Sequence, residues 1–394
     1  MSRADEPYRE AGVDALDAQL PAAETLPRLA GLVRPLRTRA ALGLDAAPAP
    51  ALLFVPVGFL LGPRALGALS EDALAFLDVV VSVGLAALGI FIGLALDLRH
   101  GGGRRLLAAA SAEALVTLGV VAGAMLFLIG RWQMPLDVSP VVAALVLGVC
   151  AAASSASAAR RDSDPVQPLA TRIADLDDVL PLVLGAYALG LLRIPDPAGA
   201  AWLAAATAAA GLAVGMAGWL LFEEASGPAE RGVFVLGAVA LLGGSAAYVG
   251  QSALFAGMVA GLAWKVSPGR ADRIIRGDLR RIQHPLVVLL LLVAGASLAP
   301  SRAALWLFAP LVLFRLAGKL LGGWAASRVF PGRATPADLG AYLIPPGVIG
   351  IGFALAFNQF DPSPTGAAIL TATTLASLAG ELLAVVSLAE LRRS

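Results

Sequence analysis

Soft ligands and nucleophiles are scarce in this chain: 394 residues hold one cysteine, Cys150, and two histidines, His100 and His284. One cysteine excludes an internal disulfide framework, and so few ligands leave no donor set for a haem, iron–sulfur or zinc centre. Without a histidine beside a nucleophile or a metal-ligand cluster, neither an enzyme nor a cofactor is expected. Charge is sparse as well, at 14% Asp, Glu, Lys and Arg, and Lys265 and Lys319 are the sole lysines. No nucleic-acid partner is expected. The opening stretch "MSRADEPYREAGVDALDAQLPAAE" mixes both signs and lacks a basic start followed by a short apolar core, so no cleavable signal peptide is expected.

Apolar residues make up 58% of the chain, and the mean hydropathy is +0.80, which places it among polytopic membrane proteins, with the lipid bilayer as its surroundings. A span needs about 20 apolar helical residues. Windows of that size fall at 48–62, 74–97, 106–129, 136–158, 168–192, 199–222, 230–248, 250–265, 284–299, 303–326, 336–358 and 364–388. The fold class read from them is all-α and polytopic, with about twelve transmembrane helices. Residues 1–47 form a polar N-terminal segment, partly amphipathic around Arg28, Arg34, Arg37 and Arg39; residues 48–388 form the membrane domain and 389–394 a short tail.

Basic loops orient the spans. With the N-terminus inside, "RHGGGRR" at 99–105, "RRDSD" at 160–164, the run from Lys265 to Arg281, "SRVFPGR" at 327–333 and the tail "ELRRS" all fall on the cytoplasmic side. Outward connections hold single arginines such as Arg64, Arg131, Arg193 and Arg302. An even number of spans with both termini cytoplasmic satisfies every strongly basic loop at once.

Charged residues inside the apolar windows carry the functional signal, because each costs at least about 2.5–3.5 kcal/mol near mid-membrane and therefore faces a cavity or a partner. The fifth window, "RIADLDDVLPLVLGAY", holds Asp177 and Asp178, with Asp175 one turn nearer the inner end and able to pair with Arg172. In the tenth, Arg315 lies near the midpoint and Lys319 one turn inward on the same face. Two adjacent carboxylates in a low-dielectric cavity repel, and either a proton or a metal cation relieves that repulsion, so the two compete for one site. Asp177 and Asp178 are expected about 100° apart around the helix axis, so that one faces a water-filled cavity while the other turns to a basic neighbour. Glu113 in the third window and Glu381 in the twelfth are secondary candidates, each readable as a helix tie, a proton stop or a cavity-lining group.

Helix breaking supplies a second signal. The fourth window ends in "VCAAASSASAARR", where Ser154, Ser155 and Ser157 offer oxygens, and the eleventh contains "YLIPPGVIGIGF", where Pro345 and Pro346, followed by Gly347, remove backbone donors. Interrupted helices in corresponding positions of inverted halves frame midplane ion sites in transporters, and spans three to five would map onto ten to twelve.

These features together resemble the cation:proton antiporter superfamily, the sodium/proton exchanger membrane domain. "GFLLGPRALGAL" with "VSVGLAALGIFIGLALDL" is similar to that family's first two spans, and "QSALFAGMVAGLAWKVSP" with "HPLVVLLLLVAGASL" to its eighth and ninth. The pair Asp177 and Asp178 matches the double acidic motif of the electrogenic branch, and "RLAGK" its basic tenth span. The resemblance covers most of residues 48–388. It implies a homodimer in a bacterial-type inner membrane, with a dimerisation part and a mobile core whose unwound fourth and eleventh helices cross beside the acids. It also implies exchange of a monovalent cation, sodium first and potassium or lithium next, for protons. In this reading Asp178 is the ion and proton carrier, and Asp177 pairs with a tenth-span base, Arg315 by depth or Lys319 by its capacity to release a proton. The chain departs from the family in having "SSAS" in the fourth span and "PPG" in the eleventh. An organic-anion symporter using Arg315 as counter-charge and a transport-inactive sensor or scaffold are the alternative readings.

Overall fold

The computed structural model describes residues 50–96, 103–154, 167–225, 227–267, 271–330 and 336–391. They form α1 (Pro50–Leu61), α2 (Glu71–Ala95), α3 (Gly103–Trp132), α4 (Pro140–Ala152), α5 (Gln167–Ala174), α6 (Val179–Arg193), α7 (Pro197–Glu224), α8 (Pro228–Val249), α9 (Ala253–Val266), α10 (Ala271–Ala296), α11 (Arg302–Val329), α12 (Pro336–Tyr342), α13 (Val348–Phe360) and α14 (Pro364–Leu391). The basic N-terminal stretch, Ser155 and Ser157 lie outside the described residues.

Short polar residues set many of the starts. Ser70, Ser139, Asp196, Ser252 and Ser301 each accept the backbone N–H three residues on, opening α2, α4, α7, α9 and α11. Pro140 and Pro197 follow two of these caps, where a missing N–H costs nothing. Gly250 closes α8 in the left-handed region, at φ 71°, a conformation that a side chain would strain.

Among the described residues six helices are long and apolar enough to cross a bilayer: α2, α3, α7, α8, α11 and α14. Shorter apolar helices are α1, α4, α9, α13 and the Ile282–Ala296 portion of α10. The windows expected at 136–158, 168–192 and 336–358 are each interrupted. In the first, α4 gives way to extended backbone; in the second, α5 and α6 are separated by turns at 175–178; in the third, α12 and α13 flank a non-helical 343–347.

The helices pack mainly within two groups, α1, α2 and α7–α10 in one and α3–α6 with α11–α14 in the other. In the first group α2 and α9 approach to backbone contact: a Cβ on Gly89 or Gly93 would meet the carbonyls of Leu254 or Met258, and one on Gly257 or Gly261 those of Ala86 or Ile90. Small residues four apart on both helices permit that crossing. In the second group α3 lies along α11, where Gly318 and Gly322 leave room for Thr117 and Glu113. That contact positions the site.

Candidate functional site

Helix α4 ends at Ala152, and Ala153 is extended (φ −62°, ψ 136°). The last carbonyls of a helix have no intrahelical donor and carry the negative end of its dipole. Two cations from α11 take them. Arg315 donates to the Ala151 carbonyl, to the Ala153 carbonyl at 2.8 Å and to the Ile344 carbonyl at 3.4 Å. Lys319 donates to the Ala152 carbonyl and to Ser154 Oγ. The arrangement satisfies the carbonyls of Ala151, Ala152 and Ala153 inside the protein, where the fourth span gives way to extended backbone.

The eleventh span breaks against the same place. Pro345 and Pro346 have no N–H to continue α12, and Pro346 forms an isolated antiparallel bridge with Ser154. A Cβ on Gly347 would stand 2.9 Å from the Ser154 carbonyl oxygen, so glycine is what lets the two extended segments pass. On α14, a Cβ on Gly380 would stand 3.0 Å from Pro346 Cδ, which seats the break on the twelfth span.

The fifth span is broken as well, and this was not expected from its apolar run. Pro181 explains it: a continuous helix would need an N–H at 181 for the Asp177 carbonyl, and the proline ring would strike that carbonyl. Helix α6 therefore restarts at Val179 with Pro181 in its first turn, where proline is tolerated. Asp178 is its N-cap residue (φ −71°, ψ −23°) and makes no side-chain cap hydrogen bond. The simple helical offset between Asp177 and Asp178 thus gives way to a turn. Both carboxylates lie at the positive end of α6, which favours negative charge there.

Five ionisable side chains are buried in this group: Glu113, Asp177 and Lys319 at 0% exposure, Asp178 at 4% and Arg315 at 5%. Lys319 Nζ is 3.0 Å from Glu113 Oε1 and 3.4 Å from Asp177 Oδ2. No carboxylate lies within ion-pair distance of Arg315 among the described residues. Depth had favoured Arg315 as the partner of the acids; the geometry puts Lys319 there instead, because Arg315 is taken up by the carbonyls of the broken chain. Glu113 Oε2, Asp177 Oδ1 and Asp178 Oδ1 are buried without hydrogen-bond partners. Three carboxylates thus face two cations, leaving one negative charge uncompensated when all are ionised, an expensive state in low dielectric. A proton or a small cation would complete the cluster. Among the described residues no group of three His, Cys, Asp or Glu is placed to hold a resident metal, so a visiting cation would draw on hydroxyl and backbone oxygens as well.

The remaining sequence candidates divide. Ser154 is in the cluster, while Ser155 and Ser157 lie outside the described residues. Asp175 is exposed, as is Arg172, and no ion pair joins them. Glu381 is buried, but its Oε2 accepts the Leu52 N–H at 3.2 Å, joining α14 to the free amides at the start of α1 rather than to the acids. Glu113, a secondary candidate by sequence, stands at the centre.

No protein-family description and no curated protein matches the sequence. Among solved structures, the sodium proton antiporter of Methanocaldococcus jannaschii at pH 8 superposes with a TM-score of 0.63, covering 91% of this chain and 97% of that one at 18% identity. At that identity the likeness is one of fold. The chain is a multi-pass helical membrane protein with the fold of a sodium/proton antiporter.

Proposed function

We propose that the protein is a secondary active transporter that exchanges a monovalent cation, sodium first and potassium or lithium next, for protons by alternating access. The observation that carries this reading is the uncompensated carboxylate: Asp178, buried and without an ion pair among the described residues, beside two crossed chain breaks. Asp178 binds the cation or the proton. Asp177, held by Lys319, sets the field around it. Ser154 and the free backbone carbonyls offer neutral oxygens, and Ser155 and Ser157 belong to the same serine run.

The wider picture follows the same reading: about twelve spans with inverted repeats, both termini cytoplasmic, a homodimer in a bacterial-type inner membrane, and a place in the electrogenic double-aspartate branch. Charge would then move with each cycle. The organic-anion symporter is weaker, because Arg315 spends its donors on Ala151, Ala153 and Ile344 and the cluster is already rich in negative charge. A transport-inactive scaffold would have no need to bury Asp178 with an unpartnered oxygen.

Calorimetric titration of the detergent-solubilised protein with sodium, potassium and lithium tests the site. Binding that disappears in Asp178→Asn, with the thermal unfolding midpoint retained, is the expected result. Binding of equal strength in that variant would remove Asp178 from the site.

A further inference from the structure

We infer that Glu113 is a positioning residue for Lys319, a second counter-charge that lets the lysine release Asp177 while remaining paired. The inference rests on the transport reading above and adds a residue to it.

Lys319 Nζ has four oxygens around it: it donates to the Ala152 carbonyl, to Ser154 Oγ and to Asp177 Oδ2, and Glu113 Oε1 stands beside it as an ion-pair partner. An ammonium has three N–H donors. All three are taken, and the bond to Asp177, at 3.4 Å, is the longest and the first to yield, while Glu113 pairs with the ammonium by charge. Glu113 is nearer at 3.0 Å and is itself fixed. Thr117 Oγ1 donates to the same Oε1 at 2.9 Å, and Gly322 packs so closely that a Cβ there would stand 2.8 Å from the Glu113 carbonyl oxygen and 3.1 Å from its Cγ. Glu113 belongs to α3 and Lys319 to α11, two helices in close contact along their lengths, whereas Asp177 sits on the turn between α5 and α6.

The consequence concerns competition for Asp177. A cation drawn to the paired aspartates must loosen Lys319 from Asp177. Without Glu113 the released ammonium would be a buried charge with no carboxylate, and that penalty would be charged against cation binding. With Glu113 the ammonium keeps a partner throughout, and Asp177 is freed to share its negative charge with Asp178. Glu113 thus acts on the cation through Lys319, not by touching it.

Two measurements test this. A double-mutant cycle on thermal unfolding in detergent, without transported cation, compares native protein, E113Q, K319Q and the double variant; a double loss clearly smaller than the summed single losses is expected, and additive losses would overturn the contact. In liposomes, E113Q is expected to raise KM for the driving cation about tenfold, more than it lowers kcat, and to add nothing in the K319Q background. Glu113→Asp, with its charge one methylene further away, should fall between native and E113Q. Equal KM in E113Q and native protein, or an undiminished E113Q effect in the K319Q background, would overturn the positioning role even if the unfolding cycle shows coupling. Absence of any cation-driven flux in the native protein would sink the transport reading instead, and the cation-free cycle would still decide whether Glu113 and Lys319 act as one unit.

Discussion

Lys319 and Asp177 face each other at 3.4 Å in a region where neither has any solvent exposure, and the lysine reaches there from α11, 142 residues further along the chain. Removing one member of a buried pair leaves the other charge alone, which typically costs about 3–5 kcal/mol. Lys319→Ala should therefore lower the thermal unfolding midpoint sharply, and Asp177→Asn in the Lys319→Ala background should recover part of the loss. A midpoint within a degree or two of native for Lys319→Ala alone would mean that the pair does not hold the core.

Arg315 has a different task. It satisfies the carbonyl end of α4, so Arg315→Ala should orphan carbonyls at the break, each lost partner costing about 1–3 kcal/mol. Arg315→Lys, with its charge but not its fork, should restore only part of the stability. Full restoration by lysine would show that charge alone matters there.

The crossing of the two broken segments depends on glycine. A Cβ on Gly350 would run into the Cys150 carbonyl, so Gly350→Val should destabilise by about 1–3 kcal/mol through overpacking. Gly119 in α3 has nothing within 4 Å of its missing Cβ, and Gly119→Ala should leave stability unchanged or slightly raised. The two variants, compared by unfolding in the same detergent, should differ in sign or clearly in size.

Glu381 holds the Leu52 amide across the two helix groups. Glu381→Leu should lose about 1–3 kcal/mol by leaving the half-buried Leu52 N–H unsatisfied, while Glu381→Gln keeps an acceptor and should lose less. Equal losses would show that the charge, not the hydrogen bond, is what α1 requires.

Much of this site was legible because charge is conspicuous in an apolar chain. Asp177, Asp178, Arg315 and Lys319 stood out against their windows, and the double proline at Pro345 and Pro346 announced the eleventh-span break. The fifth-span break was signalled by Pro181, four residues after Asp177, but hydropathy summed over the 168–192 window reads as one continuous span. What the sequence hid was set by tertiary contact. Gly318 and Gly322 bring α11 against α3, and only that approach makes Glu113 a neighbour of Lys319. Likewise, depth along a helix placed Arg315 near mid-span but could not show that α4 would end beneath it and take its donors.

Proton and cation compete for Asp178 in this account, and the direct measurement is cation-driven proton flux in reconstituted liposomes under a controlled membrane potential. The native protein should move protons when sodium, potassium or lithium is added, with KM for the effective cation rising about tenfold per unit fall in pH where one proton competes. Asp178→Asn should show no flux while folding normally. Flux of native magnitude in Asp178→Asn, or no flux from the native protein with any of the three cations, would contradict the account.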